Sequence, residues 1–176
     1  MPKCNGASPR IAGFGLRGEA STRVQKILRQ AVRILMVEDF EPYRTHIASL
    51  LGKNADLRVI CEVGDGLQAV QRALELRPDL ILMDIGLPGL NGIDAARKIL
   101  QLTPESRILF LTQETSADLV REVLNAGAHG YVLKSQAGGE LLGAIEAVLQ
   151  GKRFVSGGLA GGESAPGDGN GNAPTY

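Results

Sequence analysis

The chain has 176 residues, of which 44% are hydrophobic, and this length and composition suit one globular domain with a full core. No apolar stretch approaches the roughly 18 residues of a membrane-spanning helix and the N-terminus lacks an apolar signal region, so we expect a cytoplasmic protein without membrane attachment. The net charge of zero combines +6 over residues 1–33 with −6 over residues 34–176, and the acidic larger part argues against nucleic-acid binding by the folded domain.

The first part of the chain, residues 1–31, is a basic extension in which we expect disorder, because it lacks sustained apolar periodicity. The alternative is an arm that contacts an acidic partner, nucleic acid or a membrane surface. The chain has two cysteines, Cys4 and Cys61, too few for a disulfide framework. Cys61 lies in the apolar run "LRVICEV", which predicts a buried and inert thiol.

Apolar runs and stretches of helical spacing alternate five times through the middle of the chain. The apolar runs, interpreted as strands, cover residues 33–37, 57–63, 79–83, 107–111 and 130–133. The helical stretches that follow them cover residues 42–52, 66–76, 92–102, 116–127 and 139–151. Five successive β–α units predict an α/β fold with a parallel sheet covered by helices on both faces.

The last part of the chain, residues 156–176, contains seven glycines and neither Lys nor Arg. We expect this segment to be a flexible tail. The tail is not expected to bind DNA, because contacts with phosphate require Lys and Arg. The folded domain is therefore expected over residues 32–155.

Polar side chains follow four of the five predicted strands. Glu38 and Asp39 follow the first strand, Asp84 the third, Thr112 the fourth and Lys134 the fifth. In an open α/β sheet, the carboxyl ends of the strands form the crevice where ligands bind. If the strands lie in the order 2-1-3-4-5, these five side chains line one pocket.

Each of these residues also has an ordinary structural explanation when it is taken alone. Glu38 and Asp39 could cap a helix, and Asp84 could form a turn. Thr112 could be a common strand-end residue, and Lys134 a solvated surface charge. Their joint placement at strand ends favours a functional pocket over these separate explanations.

The whole pattern, from about residue 33 to residue 155, resembles the receiver domain of two-component response regulators. The segments that carry the resemblance are "VED" at 37–39, "LMDIGLPGLNG" at 82–92, "LT" at 111–112 and "GAHGYVLKS" at 127–135. It implies a flavodoxin-like (CheY-like), doubly wound, five-stranded parallel sheet in the order 2-1-3-4-5. "LPGLNG" and "GAHGYVLKS" are most similar to receivers of the NarL/LuxR type, which are usually fused to a helix-turn-helix.

The resemblance implies that Asp84 accepts a phosphoryl group, since carboxylates can act as covalent phosphoryl acceptors. It also implies a Mg²⁺ ion, which takes oxygen ligands and keeps some waters. Asp39 and Asp84 would bind Mg²⁺ directly, Glu38 would act through water, and the backbone carbonyl of Gly86 would supply another oxygen.

Further roles are implied for residues around Asp84. Lys134 and Thr112 would hold phosphoryl oxygens, assisted by the backbone amide of Ile85 or Gln113. When Thr112 moves toward the phosphoryl group, the aromatic side chain of Tyr131 would turn inward to fill the vacated space. Such a change is a population shift between two packings.

The implied partners are a sensor histidine kinase or a phosphotransfer protein, and a downstream protein whose binding the switch controls. A homodimer is left open, and DNA binding is not expected from this chain. The implied protein is not an enzyme beyond slow Mg²⁺-dependent loss of its own phosphoryl group.

Three alternatives remain open. The first is a transcription regulator of the LuxR-type class whose DNA-binding domain is missing from this chain. The second is a Mg²⁺-dependent phosphatase with Asp84 as nucleophile, which is disfavoured because Gly86 stands where a second acid is needed. The third is a flavodoxin-like cofactor binder, which is disfavoured because no phosphate-cradling loop follows the first strand.

Overall fold

The computed structural model describes residues 3–4 and 31–157, so the predictions for most of the N-terminal extension and for most of the Gly-rich tail, residues 158–176, lie outside the described residues. Ser156, the first residue of the predicted tail, is described and is buried. The strands in these ranges are β1 (Lys3–Cys4), β2 (Val32–Val37), β3 (Leu57–Val63), β4 (Leu80–Met83), β5 (Arg107–Thr112), β6 (Gly130–Leu133) and β7 (Phe154–Val155). The helices are α1 (Glu41–Leu51), α2 (Gly66–Leu76), α3 (Gly92–Leu102), α4 (Ala117–Asn125) and α5 (Ala137–Leu149). A 3₁₀ turn, Lys134–Gln136, precedes α5.

The strands form one sheet in the order β1-β3-β2-β4-β5-β6-β7. The five predicted strands correspond to β2–β6, which pair in parallel, so the predicted order 2-1-3-4-5 and the α/β fold class are confirmed. Two short edge strands were not predicted. β1 pairs antiparallel with β3, and β7 pairs in parallel with β6.

The core lies in two layers because the helices cover both faces of the sheet. Leu80 and Leu82 of β4 belong to the layer that contains residues of α1 and α5. Ile81 and Met83 belong to the opposite layer, which contains residues of α2, α3 and α4. This arrangement explains why the strand has no polar alternation, since every side chain faces an apolar layer.

Side-chain caps start three of the five described helices, α2, α3 and α4, at the carboxyl edge of the sheet. Asp65 accepts hydrogen bonds from the amides of Leu67 and Gln68 at the start of α2. Asn91 caps α3 and Ser116 caps α4 in the same way. These caps fix the loops that surround the predicted pocket.

Cys61 is buried in β3 and is disulfide-bonded. The prediction that Cys61 is buried is confirmed, whereas the prediction of a thiol is wrong because this cysteine is in a disulfide bond. The register of β1, a strand that was not predicted, sets the backbone of Cys4 opposite that of Cys61. Among the helices that the structure describes, none has both the length and the apolar character to cross a membrane.

Candidate functional site

The three predicted acids meet at the carboxyl edge of the sheet. Glu38 and Asp39 follow β2 and Asp84 follows the adjacent strand β4, where its amide donates to the carbonyl of Val37 at 2.9 Å. One carboxylate oxygen from each acid lies within 4.8 Å of the others. Glu38 and Asp84 are buried, whereas Asp39 is exposed. The sequence prediction that these acids form one cluster is supported by this geometry.

Lys134 enters the same cluster from the end of β6. Its Nζ lies 2.7 Å from Glu38 Oε2 and 2.7 Å from Asp84 Oδ2, and only 9% of its side chain is exposed. Buried ions are costly unless they are paired, so this ammonium stabilises both buried carboxylates. The ammonium pairs with Glu38 and Asp84 but not with Asp39, so the three carboxylates of the cluster outnumber it and leave an excess of negative charge.

Burial and charge shift the acid–base behaviour of this cluster. Burial raises the pKa of Glu38 and the nearby Asp84 carboxylate adds to that rise, while the ammonium of Lys134 opposes it. Burial alone would lower the pKa of Lys134, but hydrogen bonds to Asp84 and Glu38 outweigh burial and raise that pKa. The lysine is therefore held in its charged form beside the acids.

Asp84 is fixed by the turn that follows β4. Its Oδ1 accepts a hydrogen bond from the Ile85 amide at 2.7 Å, and the Gly92 amide donates to the Ile85 carbonyl at 2.9 Å. A Cβ at Gly92 would lie 2.0 Å from the Asp84 carbonyl oxygen, so only glycine permits this approach. Gly89 has φ +73°, a conformation that also favours glycine.

Thr112 and Tyr131 are connected through one residue of the loop after β5. The Thr112 hydroxyl oxygen accepts a hydrogen bond from the Glu114 amide at 3.2 Å, and the Tyr131 hydroxyl donates to the Glu114 carbonyl at 2.7 Å. Tyr131 is completely buried. Burial, together with the charge of Glu114, raises the pKa of Tyr131 to about 12.

An open cleft of about 600 Å³ lies over the cluster. The predicted site residues in its lining are Glu38, Asp39, Asp84, Gly86, Thr112 and Lys134. Ile85 and Gln113 also line the cleft, whereas Tyr131 does not. The structure thus brings the predicted acids, hydroxyl and ammonium to one solvent-accessible place.

The donor set fits a hard divalent cation such as Mg²⁺. Such ions prefer carboxylate and carbonyl oxygens, and the acid cluster offers three carboxylates. Gly86 lines the same cleft, and no atom lies within 4 Å of the position that a Cβ would take there. The fit rests on oxygen chemistry and on the excess negative charge of the cluster.

Two residues of α1 contact this site and were missed by the sequence analysis. The ring of Tyr43 lies 4.8 Å below Lys134 Nζ, a cation–π distance, and its buried hydroxyl has no hydrogen-bond partner among the described residues. Burial raises the pKa of Tyr43 above its usual value, and the charges of Glu38 and Asp84 add smaller increases. Arg44 donates to the backbone carbonyls of Glu38 and Asp39.

Comparisons with known proteins agree with this geometry. A family model described as response regulator receiver domain matches residues 34–146. The transcriptional activator protein ExaE of Pseudomonas putida is 36% identical over 143 residues, which cover 80% of this chain and 67% of ExaE. The transcriptional regulatory protein LiaR of Bacillus subtilis (strain 168) is 36% identical over 130 residues, which cover 74% of this chain and 62% of LiaR.

A solved structure of a LuxR-family two-component response regulator from Aurantimonas sp. SI85-9A1 is also similar. It matches with a TM-score of 0.71 and 36% sequence identity, and the match covers 74% of this chain and 93% of that chain. The chain spans 67% of the length of ExaE and 62% of that of LiaR. These matches show that the chain belongs to the response regulator receiver family of two-component signalling, and that its receiver is similar to those of NarL/LuxR-type transcription regulators.

Proposed function

We propose that this chain is a cytoplasmic phosphorylation-dependent switch in which Asp84 accepts a phosphoryl group from a sensor histidine kinase or a phosphotransfer protein. The observation that carries the proposal is the position of Asp84. Its carboxylate lies beneath an open cleft, 2.7 Å from Lys134 and beside two further acids. A donor can therefore approach a carboxylate whose surroundings already balance part of its charge.

The proposed transfer is a displacement at phosphorus. A carboxylate oxygen of Asp84 forms a bond to phosphorus as the bond from phosphorus to the donor histidine nitrogen breaks, and that nitrogen keeps the electron pair. Lys134 and Thr112 line the same cleft as Asp84 and would hold phosphoryl oxygens. The amides of Ile85 and Gln113 are further candidate donors.

Mg²⁺ is the proposed cofactor, and it would neutralise the acids and the incoming phosphate when bound. Asp39 and Asp84 are its proposed direct ligands, with Glu38 acting through water and Gly86 through its carbonyl. Asp39 is the acid of the three that Lys134 does not pair with, and its exposure suits it to metal binding.

A mass measurement tests the proposal. The protein is incubated with acetyl phosphate and Mg²⁺, and the intact mass is then recorded. We expect the wild type to gain one phosphoryl group and Asp84→Asn to gain none. Asp118→Asn is the matched control, since Asp118 is an exposed acid on α4, and it should be labelled like the wild type. Labelling of Asp84→Asn to the same extent as the wild type would contradict the proposal.

Tyr131 is the proposed link from phosphorylation to the binding of a downstream protein or of a second copy of the chain. Because Thr112 and Tyr131 both bond to Glu114, movement of the threonine is expected to reach the tyrosine. Tyr131→Ala should still be phosphorylated, but the amide chemical shifts of β6 and α4 should change less than in the wild type. Chemical-shift changes in this variant that are as large as those of the wild type would contradict the link.

A second candidate function is a LuxR-type transcription regulator whose DNA-binding domain is missing from this chain. It is favoured because the relatives ExaE and LiaR are named as transcriptional regulators, and because both relatives are longer than this chain. Electrophoretic mobility measurements with random and promoter DNA test this candidate. Specific binding by this chain would favour the regulator, whereas both functions predict no binding when the DNA-binding domain lies outside this chain.

A further inference from the structure

Arg44, in the first turn of α1, extends back to the backbone of the acid pair. Its Nη1 donates to the Glu38 carbonyl at 2.5 Å and lies 3.4 Å from the Asp39 carbonyl oxygen. Only 16% of the arginine side chain is exposed. One guanidinium therefore holds both peptide groups that flank the α-carbon of Asp39.

This contact constrains the direction of the Asp39 carboxylate. Each peptide group is planar, so a residue's backbone has only two soft dihedral angles, one on each side of its α-carbon. Fixing the carbonyls of Glu38 and Asp39 fixes the two planes that meet at that α-carbon. The side chain of Asp39 is exposed, and no hydrogen bond or ion pair holds its carboxylate among the residues that the structure describes, so the direction of this carboxylate depends on its backbone.

Glu62, at the end of β3, holds Arg44 in place. Its Oε2 lies 3.4 Å from Arg44 Nε, and 22% of its side chain is exposed. Gly64, which directly follows β3, allows the chain to pass close to the backbone of Asp39, because a Cβ at this position would lie 3.3 Å from the α-carbon of Asp39. The guanidinium is planar and carries donors in a fixed fork, so it can bond to Glu62 and to the carbonyls together.

We propose that Arg44, supported by Glu62, is a positioning residue for the cation site: it sets the backbone of Glu38 and Asp39 so that their carboxylates converge with Asp84. This inference rests on the proposed function, because it assumes that the acid cluster binds Mg²⁺. Arg44 itself bonds to carbonyl oxygens and to Glu62, and it contacts none of the three carboxylates through a hydrogen bond that the structure records.

Charge and positioning predict opposite effects of removing Arg44. A guanidinium is a positive charge, and its loss next to an acid cluster should strengthen the binding of a divalent cation through electrostatics alone. If Arg44 instead positions the acids, its loss should weaken binding. Removal of a residue that orients metal ligands lowers the metal affinity roughly tenfold to a hundredfold.

The test is calorimetric titration of Mg²⁺ into the unphosphorylated full chain. We expect Arg44→Met to raise the Kd for Mg²⁺ about tenfold. Arg44→Lys keeps the charge but not the planar, forked set of donors, so it should give a Kd between those of the wild type and Arg44→Met. Glu62→Gln should raise the Kd less than Arg44→Met does. Arg72→Met is the matched control, since Arg72 pairs with Glu75 on α2, and it should leave the Kd unchanged.

Thermal unfolding in EDTA, recorded for each variant, separates a structural role from a positioning role. A lower Tm with an unchanged or lower Kd in Arg44→Met would overturn the inference. If Arg44→Met does not fold, the inference is tested with Arg44→Lys and Glu62→Gln. Unchanged Kd values for Mg²⁺ in both of these variants would overturn the inference. A wild type that binds no Mg²⁺ would overturn the proposed cation site as well, whereas unchanged variants beside a binding wild type would overturn only the role of Arg44.

Discussion

Lys134 is the residue on which the charge balance of the site depends. Its ammonium lies 2.7 Å from each of two buried carboxylates, those of Glu38 and Asp84. Removing one partner of a buried ion pair is more costly than the net value of the pair, because it leaves an uncompensated charge away from water. The lysine therefore stabilises the fold as well as serving as a candidate phosphoryl ligand.

Replacing Lys134 with methionine should destabilise the protein by about 3 kcal/mol in EDTA, because Glu38 and Asp84 then lack a cation. Saturating Mg²⁺ should reduce this deficit, because the variant lacks the ammonium that repels a cation and should therefore bind Mg²⁺ more tightly than the wild type does. Urea unfolding with and without Mg²⁺ measures both effects. Lys98→Met, an exposed change on α3, is the control. A deficit that Mg²⁺ does not reduce would contradict this account.

The site residues that sequence analysis found are those whose position follows from strand ends alone. Glu38, Asp39, Asp84, Thr112 and Lys134 each follow a predicted parallel strand, and such ends meet at one edge of a sheet. Their roles in binding a cation and a phosphoryl group remain predictions.

Tyr43 and Arg44 could not be found in the same way. Both lie in the first turn of α1, where an aromatic and a basic residue are ordinary. Only the three-dimensional path of that helix brings the tyrosine ring under Lys134 and the guanidinium behind the acid pair. An arginine five residues after Asp39 is a local signal that could have prompted the question.

At the scale of elements, the five central strands were predictable because each is an apolar run of four residues or more, followed by helical spacing. The edge strands β1 and β7 were not predictable, because a strand of two residues has no periodicity. Their existence depends on pairing with β3 and β6, a tertiary contact that local sequence does not encode.

His129 joins β5 to the start of β6 and gives a prediction for pH dependence. Its Nδ1 accepts a hydrogen bond from the Ile108 amide, and burial, reinforced by Arg107 and Arg153, lowers its pKa below the ordinary value of 6.5. The folded state thus favours the neutral ring, so this stabilising contribution is present above pH 6.5 and is lost as the pH falls through the folded pKa.

The measurement is the unfolding free energy of wild type and His129→Asn from pH 8 to pH 5, because asparagine keeps an acceptor without the titration. The advantage of the wild type over the variant should shrink as the pH falls below 6.5. Carboxylates titrate in both proteins and cancel in the difference. An advantage that grows on acidification would mean that the folded state favours the charged ring.

At the scale of the whole molecule, the cleft and the far side of β6 are connected by a short path. Thr112 lines the cleft, Tyr131 is buried behind it, and Glu114 bonds to both. The domain belongs to a family of two-component signalling. Its relatives ExaE and LiaR are longer proteins that are named as transcriptional regulators. The cleft is where a kinase would act, and the Tyr131 region is where we expect the consequence to be read.

The most direct test of this account is whether phosphoryl transfer to Asp84 requires a divalent cation at the acid cluster. Wild-type protein is incubated with acetyl phosphate in Mg²⁺ and, separately, in EDTA, and the modified residue is located by peptide mass mapping. The account predicts one phosphoryl group on Asp84 in Mg²⁺ and none in EDTA. Labelling of the same extent in EDTA, or labelling at a residue outside the cleft, would contradict it.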